Sequence, residues 1–245
     1  MSVITSQNWD GVTAPVLPSG WHYDGGFATG TGLAIPLSSP NLLVSVDSSE
    51  STAYYLAADS SGGQVQVSAA FTSESIKGGF GLGVNTVGSV IARAANPASP
   101  TTRTCYRATI DFFAGQILLD KIVGGTATSL HILGASLIAP YGYMGGQWFT
   151  LQLICNGTAI AVNLESPDGL WLQTDGTWGA SQVNCISVTD LSVSGSGYAG
   201  LVMNPGISGE SPGDVYSDNF LFESLLDPKP QTIIVPAKHA WWLRD

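Results

Sequence analysis

Residues 147–171, QWFTLQLICNGTAIAVNLESPDGLW, carry the pattern of a β-hairpin. Phe149, Leu151 and Leu153 fall on every second position before a turn, and Ile160, Val162 and Leu164 do so after it. Period-two alternation buries one face of each strand and leaves the other for water or a second layer. Between the two runs stands Asn156-Gly157, a dipeptide suited to a tight turn whose central residues both take positive φ. An apolar stripe on each arm has to be covered, so this hairpin needs other strands stacked against it.

The same alternation recurs along most of the chain. Candidate strands are 3–9, 41–46, 52–58, 64–72, 79–85, 103–113, 116–123, 127–133, 147–155, 158–165, 182–194, 198–203 and 215–224. A second hairpin covers 103–123: Tyr106, Ala108, Ile110 and Phe112 alternate, Ala114-Gly115 turns, and Ile117 and Leu119 return. Helix signals are nearly absent, and Gly/Ser/Asn-rich turns separate the strands. That combination predicts an all-β fold, a two-sheet antiparallel sandwich or jelly roll. Asn96-Pro97-Ala98-Ser99-Pro100 reads as a surface loop, because proline cannot donate to a ladder. No period of about 20–50 residues signals a propeller or solenoid. A length of 245 residues suits one β domain, here taken as residues 1–225, followed by an extended C-terminal arm at 226–245.

Charged residues make up only 11% of the chain, well under the ~25% of a typical soluble domain. The net charge is -10, and the few cations are scattered. Phosphate backbones are held by clustered cations that release counterions, so nucleic-acid binding is not expected. No apolar run reaches the ~18 residues of a membrane helix, which argues against membrane insertion. The N-terminal segment has neither a basic nor an apolar region of the signal-peptide kind. Cys105, Cys155 and Cys185 are too few for a disulfide framework. They read as buried thiols, with a Cys155–Cys185 bridge as the alternative.

Several stretches together resemble the concanavalin-A-like (laminin-G-like, glucanase-type) jelly rolls. Gln7-Asn8-Trp9-Asp10-Gly11 and Leu17-Pro18-Ser19-Gly20-Trp21 are similar to that superfamily's opening strand and following loop. Tyr106-Arg107-Ala108-Thr109-Ile110-Asp111 with Gly115-Gln116-Ile117-Leu118-Leu119 resembles its central hairpin. Gly146-Gln147-Trp148-Phe149, Asn156-Gly157-Thr158 and Pro167-Asp168-Gly169 resemble the next one, and Val215-Tyr216-Ser217-Asp218-Asn219-Phe220 its closing strand. The resemblance spans residues 3 to 224. It implies two stacked antiparallel sheets with the first and last strands adjacent.

It also implies candidate sites. The closing-strand Asp of such domains helps hold a structural Ca²⁺, which places Asp218, with Asp10, as candidate calcium ligands; alternatively Asp218 accepts backbone hydrogen bonds and no ion is present. The glucanase branch carries an E-x-D-x-x-E run on one strand. That run is missing here, and Glu50, Glu74, Glu165, Glu210 and Glu223 stand isolated. Paired carboxylates are what glycosidic cleavage requires, so no enzyme is expected. His22, His131 and His239 show no metal-ligand spacing, and no nucleophile elbow or phosphate loop is present.

Two further groups of residues bear on function. Tyr141, Tyr143, Trp171 and Trp178 lie near turns, placed either to stack on sugars or to plug the ends of the sandwich. The arm carries Pro228, Pro230 and Pro236 with Ile233, Ile234, Val235, Trp241 and Trp242. It either docks on another subunit or folds back over its own sandwich. The leading expectation is a non-enzymatic component of a phage-like virion, a capsid decoration or tail-associated protein. Such a protein folds in the host cytoplasm and contacts other virion proteins and copies of itself. The alternative is an extracellular adhesin whose loop aromatics bind surface glycans.

Overall fold

Alternation in sequence becomes alternation in space most plainly in the strands at 149–156 and 215–224. The computed structural model describes residues 1–7, 19–23, 33–34, 43–45, 51–55, 62–73, 87–97, 99–112, 114–134, 147–204 and 215–226. Among these residues there are seventeen strands. The first nine are β1 (Ser2–Gln7), β2 (Trp21–Tyr23), β3 (Leu33–Ala34), β4 (Leu43–Ser45), β5 (Ser51–Tyr55), β6 (Val65–Ser73), β7 (Val87–Ala95), β8 (Thr104–Asp111) and β9 (Gln116–Val123). Then come β10 (Thr126–Leu133), β11 (Phe149–Asn156), β12 (Ala159–Glu165), β13 (Trp171–Leu172), β14 (Trp178–Gly179), β15 (Ile186–Thr189), β16 (Tyr198–Asn204) and β17 (Val215–Ser224).

They form two antiparallel sheets. The ten-stranded sheet runs β14-β13-β12-β11-β6-β17-β4-β3, with β15 also on β12 and β1 also on β17. The seven-stranded sheet runs β10-β9-β8-β7-β16-β5-β2. The first and last strands pair, Ser2 with Ser224 through Gln7 with Phe220, as the resemblance implies. One continuous core fills the space between the sheets. Val67, Phe71, Leu151, Leu153, Val162 and Phe222 from the larger sheet meet Val90, Tyr106, Ile110, Leu119, Leu201 and Met203 from the smaller. Fully burying a side chain of this kind is worth about 1.5–3 kcal/mol, so the inward parity of each strand is strongly fixed. All three cysteines are buried thiols, and Cys155 and Cys185 are not bridged. Burial pushes the Cys185 thiol up to about 12, and its Sγ donates to the Val162 carbonyl at 3.2 Å.

Two local expectations are corrected. The β11–β12 turn is not centred on Asn156-Gly157: Asn156 pairs with Ala159 and closes β11. Gly157 and Thr158 make the turn, and of the two only the glycine has positive φ, at 59°. One left-handed residue at the first central position is the type II′ pattern. The second correction is β7, which the sequence reading leaves out in favour of 79–85, a stretch outside the described residues. β7 lies between β8 and β16 and is buried on both faces from Gly88 through Ala94, so its alternation vanishes. Small residues make that burial possible. A Cβ on Gly88 would stand 2.5 Å from Cδ1 of Phe71 in the facing sheet.

β7 also carries the clip that closes one end of the sandwich. The β7–β8 register shifts between Ala92 and Ala95, and Arg93 turns there with φ 53°. Its buried guanidinium donates to the Gly63, Val193 and Gly157 carbonyls at 2.7, 3.1 and 2.8 Å. It also lies over the Tyr106 ring, 5.8 Å from the centroid. A buried charge is tolerated only when its donors are met, and here one side chain binds three separate loops. Next to it, Tyr106 Oη donates to Asp190 Oδ1 at 2.7 Å, and Lys121 Nζ donates to Asp190 Oδ2 at 3.1 Å. Burial alone would raise the Asp190 carboxyl, but hydrogen bonds from Tyr106, Ser192 and Lys121 outweigh it and hold the pKa down to about 2. Burial first, and then the bond to that carboxylate, push the Tyr106 phenol above its ordinary range.

Gly88→Ala is expected to destabilise the fold by about 1–3 kcal/mol, read as a lower urea midpoint with an unchanged slope. The Asp190 carboxyl is depressed in the folded state, so its contribution is complete above the ordinary carboxylate range and is lost as pH falls toward 2. Urea melts from pH 7 to pH 2 should show Asp190→Asn to be weaker than the parent at neutral pH. The gap between the two should close in acid.

Candidate functional site

The outward faces of the two sheets differ in what they leave available. On the seven-stranded sheet, Ile91, Ala94, Cys105, Ile122 and Val202 form a second buried cluster. The polar groups around it bond to one another. Ser89 Oγ lies 2.9 Å from Thr109 Oγ1, Arg103 Nη2 donates to Thr52 Oγ1 at 2.8 Å, and Arg107 pairs with Asp120 at 2.9 Å. These side chains hold their own face together.

The outward face of the ten-stranded sheet is grooved. Strand register sets its layout: Asp218 lies opposite Ala70, Ala70 opposite Thr150, Thr150 opposite Glu165, and Glu165 opposite Trp171. This row crosses β17, β6, β11, β12 and β13. The next outward row is Leu221, Ser68, Gln152 and Asn163, and the one after it Glu223, Gln66, Ile154 and Ala161. A cavity of about 500 Å³ lies over the Asp218 end, walled by Trp148, Thr150 and Glu165. A second, of about 780 Å³, runs from Trp171 and Glu165 across Gln152 and Asn163 to Gln66. Glu165 belongs to both.

One wall of the larger cavity is an amide ladder. Asn163 is 2% exposed. In the orientation that satisfies both ends of its amide, Nδ2 donates to the Val183 carbonyl at 3.1 Å and to Asn184 Oδ1 at 2.8 Å. Its Oδ1 then accepts from Gln182 Nε2 at 3.2 Å, and Gln182 Nε2 also reaches Gln152 Oε1 at 3.1 Å. Residues 182–184 are thus held against β12. Further along the same segment, the Asp190 clip and the β12–β15 pairing fix it. Trp171 is set by its hairpin: Gln173 Nε2 donates to the Trp171 carbonyl at 2.8 Å and to the Ser181 carbonyl at 3.2 Å. The result is a preset surface of planar amides, two indole rings and a carboxylate. Such a set suits a polyhydroxylated ligand with apolar ring faces.

Of the aromatic candidates, Trp171 lines the larger cavity. Trp178 instead packs on the main core, with its ring 6.2 Å from that of Phe149. Tyr141 and Tyr143 lie outside the described residues, as do the arm residues Ile233, Ile234, Val235, Trp241 and Trp242, on which the particle reading leans. Asp218 lines the smaller cavity, and its Oδ1 accepts the Asn219 N–H at 2.7 Å. Asp10 lies outside the described residues. Among the described residues no three His, Cys, Asp or Glu side chains gather to hold a metal. The sequence reading misses Trp148, Gln152, Asn163 and Glu165. Their signal is the off-core parity of the hairpin, whose outward positions are 148, 150, 152 and 154 on one arm and 163 and 165 on the other.

No protein-family model and no curated protein matches this sequence. Solved structures do match in shape. A carbohydrate-binding module, CBM66 from Bacillus subtilis, aligns with a TM-score of 0.54 at 16% identity, covering 84% of this chain and 96% of that one. Lectin UEA-II complexed with galactose gives 0.53 at 15%, covering 90% and 98%. The VIP36 exoplasmic/lumenal domain in its Ca²⁺/Man3GlcNAc-bound form gives 0.54 at 13%, covering 86% of each chain. The fold is a concanavalin-A-like jelly roll. At these identities the likeness establishes architecture, and the function has to come from the site.

Asn163→Ala should cost about 0.5–1.5 kcal/mol for each hydrogen bond lost, because it removes the buried amide that ties residues 182–184 to β12. Hydrogen exchange at 182–184 should rise more than exchange along the β6–β11 ladder.

Proposed function

We propose that this protein is a non-catalytic carbohydrate-binding module, and that its site is the outward groove of the ten-stranded sheet. The observation that carries this reading is the pairing of indole rings with planar amides on one rigid face. Trp148 lines one cavity and Trp171 the other, with Gln66, Gln152 and Gln182 beside them. Sugars present C–H faces that stack on indole, and vicinal hydroxyls that both donate to and accept from amides. Strands hold these groups more rigidly than loops would, so little ordering cost falls on binding. The structural neighbours lend support: a carbohydrate-binding module, a lectin complexed with galactose and the VIP36 exoplasmic/lumenal domain in its Ca²⁺/Man3GlcNAc-bound form.

Register favours binding over bond cleavage. Among the described residues, Glu165 and Asp218 are the carboxylates that meet the smaller cavity, and they stand three strand spacings apart, about 14 Å between Cα atoms. Their side chains leave the same face roughly in parallel. Glycosidase pairs stand about 5–9.5 Å apart at their carboxyl groups.

A glycan array tests the reading. Saturable binding to at least one sugar class is expected, weakened tenfold or more by Trp171→Ala while the circular dichroism spectrum stays unchanged. Binding that survives Trp171→Ala at full strength would move the site elsewhere.

A further inference from the structure

We infer that Asn156 is a site of spontaneous deamidation, and that its isoaspartyl product loosens the Arg93 clip at that end of the sandwich. The inference stands apart from the glycan reading. Asn156-Gly157 is the only Asn-Gly pair in the sequence, and it lies at the tip of the β11–β12 hairpin, where residues 156 to 159 are all exposed. The turn falls on Gly157 and Thr158, so the Asn156 backbone is held by Ala159 while its side chain projects into water. Among the described residues, neither the Asn156 side-chain amide nor the Gly157 N–H has a hydrogen-bond partner.

The chemistry needs those two groups and water. The Gly157 nitrogen attacks Asn156 Cγ and gives up its proton, the Cγ–Nδ2 bond breaks, and ammonia leaves as a cyclic imide closes. Water then opens the imide. Opening at the Cγ–N bond yields aspartate. Opening at the main-chain carbonyl yields isoaspartate, in which the chain runs through Cβ and Cγ and is one carbon longer. Glycine favours closure, because no Cβ crowds its nitrogen and its backbone is permissive. Extended backbone at Asn156 does not present Cγ to that nitrogen, so closure waits on local opening of the tip. Frayed ends of this kind open at little free-energy cost.

The tip also holds other parts of the molecule. The Gly157 carbonyl accepts from Arg93 Nη2 at 2.8 Å, and the Thr158 carbonyl accepts the Asp190 N–H at 2.9 Å. A chain one carbon longer just before Gly157 cannot keep both the Asn156–Ala159 pairing and the place of the Gly157 carbonyl. Arg93 then lacks one acceptor for a buried charge. The same guanidinium fastens the Gly63 and Val193 carbonyls, so the loss is felt in two loops remote in sequence.

The test is an ageing time course of the full chain in mildly alkaline buffer, followed by peptide mapping with mass spectrometry and an isoaspartyl methyltransferase assay. The acid form is expected at residue 156 at least tenfold faster than at any other asparagine, with isoaspartate the larger product and none formed there in Asn156→Gln. The aged species, separated by anion exchange, should show at least tenfold faster hydrogen exchange around Gly63 and Val193. Asn156→Asp, which adds the charge without lengthening the chain, should exchange there like the parent. Asn156 that keeps its amide as long as the other asparagines would overturn the site. Unchanged exchange around Gly63 and Val193 in the aged species, or equal loosening in Asn156→Asp, would overturn the coupling to Arg93.

Discussion

The structure depends on the fixed register between β6, β11 and β12 within the ten-stranded sheet. Burying Val67, Leu151, Leu153, Val162 and Leu164 in the core leaves each strand one permitted parity. A slip by a single residue would exchange the faces of a whole strand. The groove is the other consequence of that parity. Thr150, Gln152, Asn163 and Glu165 point outward because their neighbours must point inward. The core therefore positions the site without any residue serving both purposes.

Part of this was open to reading and part was not. The β11–β12 hairpin, the closing strand and the two-sheet class follow from alternation, which survives wherever one face is buried and the other wet. β7 escaped because both of its faces are buried, so its small residues carry no period and Arg93 interrupts it with a left-handed bulge. The turn at Gly157 was displaced by one position, since Asn-Gly suits two turn types whose registers differ. Trp171 and Trp178 look alike in sequence, each beside a turn. Only the pairing of β13 with β12 and β14 turns one ring into the groove and lets the other meet Phe149.

The smaller sheet makes a useful contrast. Its outward face also carries charge and hydroxyls, but Arg103, Arg107, Thr52 and Asp120 bond within the face. Polar groups already matched to one another lose as much as they gain by turning to a ligand. On the larger sheet the buried Asn163 amide is used up in holding residues 182–184, while the amides of Gln66, Gln152 and Gln182 line the groove. That asymmetry, more than the fold, is what supports the proposed site. The neighbours in shape share the architecture at 13–16% identity, and a scaffold of this kind hosts unrelated sites.

The central claim is one of location: a glycan is held on the outward face of the ten-stranded sheet. Chemical-shift mapping with a glycan that binds on the array tests it most directly. The account predicts that the indole N–H signals of Trp148 and Trp171 and the side-chain amides of Gln152 and Gln182 move together on titration. Shifts confined to residues of the seven-stranded sheet, with these four unmoved, would contradict it.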